Sequence, residues 1–448
     1  MATTEVDMLK GKKFGMISLG CDKNRVDAER LLDEIRSHGY EITDEISEAN
    51  ILIVNTCSFL NASRKEAIDT VIECDGYRSG NLEKIVVSGC LPEKFIGELF
   101  PALTEGDVFI GCNDADKLLE AVELSYGKGR VNFVGCGHEN LKGRVLSTPA
   151  HYAYLKISDG CNNHCTYCLI PKIRGRYRSY PLEDLVREAQ GLGELAELIL
   201  VAQDVTRYGE DLYGERRLVS LIRALTALDN IGSVRLLYCY PDVIDDALIM
   251  EMRENHKVVK YIDIPLQHSE DRILKLMNRK GTRQEYLALI DKLRENVPGI
   301  AIRSTFIAGF PTETEEECEC LRSFIEEARL TNCGFFAYSR EPDTPAYRLK
   351  GQIPERIKQR RVKALYRAQE AISAQFLNGF VGKTIDVLCD GIDYERNCFV
   401  GRAYFNAPDI DGKVYFHATE AHQGEYYPVR ITRADSYDLF GHTEDFQS

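Results

Sequence analysis

What most constrains this chain is a regular alternation of short apolar runs with amphipathic, helix-periodic stretches. In the first part the runs lie at residues 13–19, 51–54, 84–87 and 108–110, and the helical stretches at 26–38, 64–74, 92–100 and 115–124. Within 26–38 the apolar residues Val26, Leu31, Leu32 and Ile35 share one helical face, and Gly39 marks its end. Strands separated by helices cannot pair through tight turns. They form a parallel sheet with helices on both faces, so a doubly wound α/β domain is expected over 12–128.

The alternation stops at residues 126–149, a polar, Gly-rich stretch. It reads as a linker over 129–148 with room for a short hairpin. It then resumes with six strand candidates at 152–157, 198–202, 234–240, 260–264, 301–307 and 334–338. Helical stretches at 182–192, 218–228, 245–254, 283–295 and 315–328 separate them. Six units of this kind are too few for a closed eight-fold barrel, so a partial (βα)6 barrel is expected over 149–376. Residues 355–378 form a long helix with a basic face (Arg356, Lys358, Arg360, Arg361, Lys363, Arg367), read as solvated charge on a connector. From 379 the pattern changes to short strands at 384–389, 398–404, 414–416, 427–432 and 437–440. Asp390-Gly391 and Asp411-Gly412 are expected to be turns. A small five-stranded β-barrel over 378–446 follows.

Composition narrows the function. No run of eighteen apolar residues is present, so no membrane-spanning helix is expected, and residues 1–13 lack the apolar core of a signal peptide. A cytoplasmic protein is expected. Fifteen cysteines in a reducing compartment are metal ligands or catalytic thiols rather than a disulfide framework. The net charge of −14 disfavours general nucleic-acid binding and suits a basic partner. The last domain is acidic in its own right, with six Lys and Arg against twelve Asp and Glu over 379–448.

The cysteines fall into two sets. Cys161, Cys165 and Cys168 stand at C-x3-C-x2-C spacing on a loop directly after the strand at 152–157. Three thiolates there can hold three irons of a 4Fe–4S cluster and leave one iron open to a substrate. A zinc knuckle with His164 is the alternative, but zinc sites usually show C-x2-C pairs and no partner pair follows. Cys21, Cys57 and Cys90 each come just after a different strand of the first domain. In a parallel sheet the carboxyl ends of the strands share one edge, so these three distant thiols can converge. One such cysteine would be ordinary gap filling; three at equivalent positions point to a second cluster. Cys112 also follows a strand and is the rival ligand, while Cys74 and Cys136 fit less well.

In the barrel, Gln203, Asp204, Pro241, Asp242, Gln267 and His268 fall at strand carboxyl ends, where barrels of this kind carry their sites. The fifth strand runs into Gly309-Phe310-Pro311-Thr312-Glu313, and Gly309 permits close approach of backbone to a ligand. His268 is weighed as a general base and as a surface or supporting histidine, with the second favoured. Arg174, Arg176 and Arg178 are weighed as contacts to an anionic ligand or partner and as solvated charge.

The spacing of Cys161, Cys165 and Cys168, with Tyr167 before the last, resembles that of radical S-adenosylmethionine (radical SAM) enzymes. Both cysteine sets and the domain order resemble the methylthiotransferases, over residues 12–445. The motif from Ser18 to Glu29 (SLGCDKNRVDAE) resembles the RimO branch, whereas the transfer-RNA branch typically carries a GCQMN-like motif. Asn55-Thr56-Cys57, the stretch HYAYLKISDGCNNHCTYC, DIPLQH, ILKLMN and RSTFI with Gly309-Phe310-Pro311 extend the likeness. Asp22 and Thr312 depart from the residues more usual there.

The resemblance implies two 4Fe–4S clusters. Cys161, Cys165 and Cys168 would hold the one that binds S-adenosylmethionine, and Cys21, Cys57 and Cys90 an auxiliary one that carries sulfur. Tyr167, Gln203, Arg303, Gly309 and Phe310 would line the S-adenosylmethionine site. It further implies a 5′-deoxyadenosyl radical that removes hydrogen from the β-carbon of an aspartate in the small-subunit ribosomal protein twelve. A second S-adenosylmethionine would then supply a methyl group. Such a C–H bond is beyond any side-chain base. A TRAM-like final barrel, an electron donor such as flavodoxin or ferredoxin, a sulfur source and a monomeric state complete the expectation. The alternative is transfer-RNA adenosine methylthiolation, for which an acidic last domain is ill suited.

Overall fold

The computed structural model describes residues 8–137 and 143–446. The leader expectation at residues 1–7 and the linker residues 138–142 lie outside the described residues. The chain divides into two compact units. The first comprises residues 1–147, 159–162 and 168–177, and the second the remainder.

The first unit is built on β1 (Lys13–Ser18), α1 (Asp22–Ser37), β2 (Glu41–Ile42), β3 (Ile51–Thr56) and α2 (Asn61–Asp75). These lead on to β4 (Lys84–Gly89), α3 (Cys90–Ala102), β5 (Val108–Phe109), α4 (Leu118–Lys128) and β6 (Val131–Asn132). All strand pairs are parallel, in the order β2-β1-β3-β4-β5-β6. Alternate residues of β3 feed two cores. Ile51 and Ile53 pack with Leu31, Ile35 and Val122 on one face, while Leu52 and Val54 pack with Val71, Leu91 and Leu99 on the other. A strand buried on both faces must be apolar at every position, which is why ILIV reads as a continuous run. The sequence missed β2 and β6. Each is a two-residue edge strand with one polar position, too short to show periodicity. β6 lies inside the stretch read as linker.

The second unit contains β7 (Tyr152–Lys156). The two-residue strands β8 (Ser158–Asp159) and β9 (Arg178–Ser179) flank the cysteine loop in sequence, and the one-turn helix α5 (Ile170–Ile173), which belongs to the first unit, lies between them in the chain. Then come α6 (Leu182–Gln190), β10 (Glu197–Val201), α7 (Glu210–Tyr213), α8 (Leu218–Thr226), β11 (Val234–Leu236), α9 (Asp246–Glu254) and β12 (Val258–Asp263). After these come α10 (Asp271–Leu276), α11 (Arg283–Asn296), β13 (Ala301–Ala308), α12 (Glu315–Ala328), β14 (Asn332–Ala337) and α13 (Glu355–Asn378). β7, β10, β11, β12, β13 and β14 form one parallel six-stranded sheet in that order, as expected of a partial barrel. Thr314 starts α12 with a capping box closed by Glu317.

The last five strands, β15 (Thr384–Asp393), β16 (Cys398–Arg402), β17 (Val414–His417), β18 (Tyr426–Ala434) and β19 (Leu439–His442), close into a barrel. Asp390-Gly391 is not a turn. It lies inside β15, where the register to β16 shifts between Cys389 and Gly391, so the glycine serves a bulge. This barrel belongs to the same unit as the six-stranded sheet and is fastened to it by a buried ion network. Arg235 donates to Glu197 at 2.7 Å, Arg402 binds the other Glu197 oxygen and Asp390 (2.9 Å), and His151 reaches Asp390 at 2.8 Å. Glu197 is the first residue of β10 and Asn332, whose amide donates to Phe405 O, the first of β14. The small barrel therefore sits at the amino ends of the strands, which leaves their carboxyl ends to the loops that carry Gln203, Gln267 and Gly309.

Candidate functional site

In the first unit the strand order reverses between β1 and β3. Loops that diverge at such a point leave a crevice outside the strand carboxyl ends. Cys21, Cys57 and Cys90 follow β1, β3 and β4, three adjacent strands: Cys21 is the N-cap of α1 and Cys90 the first residue of α3. The loops are close enough to need glycine. A Cβ on Gly20 (φ 121°) would stand 3.1 Å from the Cys57 Cβ, and one on Gly89 (φ 95°) would stand 2.6 Å from Thr56 O. Asn24 ties the loops together. Its Nδ2 donates to Leu19 O (3.1 Å) and Thr56 O (2.9 Å), and its Oδ1 lies 3.3 Å from Cys90 Sγ.

Cys90 is buried among polar partners. Arg174 Nη2 donates to Cys90 Sγ at 3.2 Å, and the Cys112 thiol donates to the same sulfur at 3.7 Å. These contacts, Cys112 first and Arg174 next, hold the Cys90 thiol down to about 7 against its burial. Burial, and then the bond to Cys90, push Cys112 well above the usual thiol range. Burial pushes Cys57 up to about 11, with the Cys90 and Cys21 thiols adding to the rise. Cys21 is exposed as a residue, yet crowding round its sulfur raises its pKa by desolvation. The structure thus brings Cys112, the rival ligand, beside Cys90. Leu169 and Ile173 close an apolar patch over the pair.

Three convergent thiols, one beside a buried cation, suit an iron–sulfur group. Among the described residues no three Cys, His, Asp or Glu side chains are gathered as for a single metal ion. A cubane cluster spreads its thiolates over separate corners and needs a wider set than a lone ion.

The C-x3-C-x2-C loop contributes Cys161 and Cys168 to the first unit and Cys165 to the second. In the first, Cys161 N–H donates to Gly175 O (3.2 Å) and Cys168 Sγ accepts from Ile170 N–H (3.4 Å). In the second, the end of α10 pins the loop. Thr166 Oγ1 donates to Leu276 O at 2.7 Å and Asn278 Nδ2 to His164 O at 3.1 Å, while His164 takes φ 51°. Cys165 Sγ lies 4.0 Å from Tyr240 Oη and from Arg279 Nη1, and Arg279 stacks 3.9 Å over the Tyr240 ring. Tyr167 packs against Ile273, Met277, Phe310 and Tyr338.

Gln203 follows β10, and its Oε1 is buried without a protein partner. Gly309 and Phe310 follow β13, and both of their N–H groups donate to Glu313 Oε2, at 2.7 and 3.1 Å. Arg361 of α13 holds the other Glu313 oxygen at 2.9 Å. The close neighbour of Gly309 is the Lys358 side chain, and the Phe310 ring is buried against Tyr338. Arg303 does not face this loop. It is the third residue of β13, level with Asp263, and its guanidinium is taken by Asp263 (2.9 Å) and Asp411 (3.4 Å). The expectation that it lines the S-adenosylmethionine site is therefore corrected. His268 is fully buried and accepts from Glu270 N–H at 3.0 Å, which fits a supporting role rather than a general base.

Asn24, Asp27 and Glu313 entered the sequence reading only within longer motifs, with no role of their own, and Arg279 did not enter it. A signal for the first two was present: Lys23, Asn24, Asp27, Glu29 and Arg30 crowd α1 with polar residues, and all are buried. Buried charge of this kind needs partners, and such partners cluster at sites.

Comparison with known proteins agrees with this layout. The chain matches the family models "Uncharacterized protein family UPF0004" over residues 13–111, "Radical SAM superfamily" over 155–325 and "TRAM domain" over 381–443. It is 43% identical to "Ribosomal protein uS12 methylthiotransferase RimO" of Lachnoclostridium phytofermentans, covering 96% of this chain and 100% of that protein. The proteins of the same name from Clostridium tetani and Geobacter sulfurreducens are also 43% identical, over 96% of this chain and 97% and 98% of theirs. Among solved structures, the radical S-adenosylmethionine methyltransferase TsrM from Kitasatospora setae, with cobalamin and a [4Fe-4S] cluster bound, shares the fold at a TM-score of 0.54. Its identity is 15%, over 75% of this chain and 77% of that one. With identity at this level over nearly the full length of both chains, this protein belongs to the RimO family of radical SAM methylthiotransferases.

Proposed function

We propose that this enzyme methylthiolates the β-carbon of an aspartate in ribosomal protein uS12, with two molecules of S-adenosylmethionine per product. The observation that carries the reading is the second set of thiols, Cys21, Cys57 and Cys90, at the switch point of the first sheet, additional to the three of the C-x3-C-x2-C loop. A simple radical enzyme needs one such cluster only, and an electron carrier normally gives each 4Fe–4S cluster four cysteines rather than three. When bound, the two clusters and S-adenosylmethionine supply a carbon-centred radical, the inserted sulfur and the methyl group.

The chain's residues bind and orient these groups. Cys161, Cys165 and Cys168 hold the cluster that binds S-adenosylmethionine, and Cys21, Cys57 and Cys90 hold the auxiliary one. Gln203 Oε1 is available to accept a hydrogen bond from the cofactor. Tyr167 and Phe310 share one packed cluster and set the wall beside it, and Glu313 holds the Gly309–Phe310 turn in place. The acidic final barrel provides a docking face for basic uS12 by charge complementarity, and it disfavours transfer RNA as substrate. A flavodoxin- or ferredoxin-type donor supplies electrons and a separate source renews the sulfur. The enzyme acts as a monomer in the cytoplasm, where its substrate is made and assembled.

Anaerobic reconstitution is expected to give about eight irons per chain, and about four after Cys21→Ala. Incubation with uS12 and S-adenosylmethionine under reduction is expected to add one methylthio group to an aspartate, read by mass spectrometry. Modification of transfer RNA alone would overturn the assignment.

A further inference from the structure

We propose that Arg174 is a positioning residue for the auxiliary site: it fixes the Cys90 thiolate and, by donating to that sulfur, favours the reduced form of the cluster. The inference rests on the reading that Cys90 is a ligand of that cluster.

Arg174 caps α5, six residues beyond Cys168, and only 3% of it is exposed. Its guanidinium is divided between two tasks. Nη1 faces two carboxylates, Asp27 at 2.5 Å and Asp159 at 3.2 Å. Nη2 donates to Asn24 Oδ1 at 2.7 Å and to Cys90 Sγ at 3.2 Å. All of these partners belong to the first unit. The two carboxylates match and exceed the single positive charge, so Arg174 is not a free cation waiting for an outside anion. They aim the fork and hold its other arm on the thiolate. Asn24, the second partner of that arm, is also the residue that ties the Cys21 and Cys57 loops. One planar group therefore sets Cys90 in relation to all three cysteine-bearing loops.

Hydrogen bonds to cluster sulfurs and nearby charge are levers on cluster potential. A donor on a ligand sulfur stabilises the electron density that reduction adds, and a carboxylate nearby opposes it. Lysine cannot replace the arginine, because a compact ammonium lacks the planar fork that reaches both sides. A merely structural ion pair would hold the same segments together without setting the potential.

The test uses the full-length chain carrying Cys161→Ala, Cys165→Ala and Cys168→Ala, so that only the auxiliary site contributes. After anaerobic reconstitution, iron is counted and reduction is followed by electron paramagnetic resonance against potential. Arg174→Lys is expected to lower the equilibrium constant for reduction about tenfold, the scale of one hydrogen bond to a charged group. Failing that, it loses the iron while circular dichroism stays native, which equally supports a positioning role. Asp27→Asn, which removes a negative charge and keeps an acceptor for the guanidinium, is expected to shift reduction the opposite way. Unchanged iron and unchanged potential in both Arg174→Lys and Arg174→Gln would overturn the proposal, as would shifts of the same sign in Arg174→Lys and Asp27→Asn. If Arg174→Gln does not fold, the other two variants decide. Full iron in Cys90→Ala would instead sink the assignment of Cys90 as a ligand.

Discussion

Glu313 offers the sharpest test of how the barrel holds the Gly309–Phe310 turn, the loop we propose to bind S-adenosylmethionine. One carboxylate oxygen accepts both Gly309 N–H and Phe310 N–H, and the other accepts from Arg361. Glutamine in its place keeps only one acceptor oxygen. If that oxygen faces the loop, the amide nitrogen meets Arg361, donor against donor; if it is flipped, the same conflict falls on Gly309 and Phe310. At least one hydrogen bond to a charged group is lost in a buried setting, at a cost of about 2 kcal/mol. Where the loop relaxes, that cost appears as weaker binding of S-adenosylmethionine, about thirtyfold at the limit. Where the loop holds, it appears as a lower unfolding midpoint. Equilibrium dialysis of the anaerobically reconstituted Glu313→Gln protein with labelled S-adenosylmethionine, beside a thermal melt, reads both. Binding within about twofold of the parent, on the factor-to-energy scale used above, together with an unchanged melt, would refute the claim that Glu313 holds this loop.

Other outcomes follow from the same geometry. Gly89→Ala places a Cβ 2.6 Å from Asn55 Oδ1 and from Thr56 O at a φ of 95°, so the Cys90 turn must move. Reconstitution should then give about four irons in place of about eight, and a full count would argue against a tight turn there. Cys112→Ser should keep the full iron count, because Cys112 only donates to Cys90; a drop would make Cys112 a ligand. Glu197 is fastened by Arg235 and Arg402, which overcome its burial and hold its carboxyl at about 2. A depressed carboxyl contributes stability above its unfolded value near 4.5 and loses it as pH falls toward 2. Acid titration of unfolding should therefore show a loss on the order of 2–3 kcal/mol in that window, and Glu197→Gln should be less stable at neutral pH and flatter below pH 4.5.

Much of the architecture was legible from local pattern. A strand buried on both faces must be continuously apolar, and a helix on a sheet must repeat its apolar residues with its own period. The inner strands of the first parallel sheet, all six of the second and the main helices packed on them could therefore be found without a structure, as could the five short strands of the last barrel. The two cysteine sets were legible for a related reason. Spacing on one loop, and position after a strand, are both sequence quantities, and parallel topology turns the second into proximity.

Chain order alone does not encode which residues share a buried volume, and there the tertiary structure decided. Two-residue edge strands carry no periodic signal, so β2 and β6, and with them the reversal beside β1, emerged only in the fold. Asp390-Gly391 has turn chemistry, yet the closing barrel uses its glycine for a bulge. Arg303 looks in sequence like any cation near a cofactor motif, but its level in the sheet gives it to Asp263 and Asp411. Arg174 is equally anonymous among three nearby arginines until the fold supplies Asp27, Asp159, Asn24 and Cys90 around it. A local pattern reports what a residue needs in its own element. A buried charge needs partners from several elements, and only their packing says which.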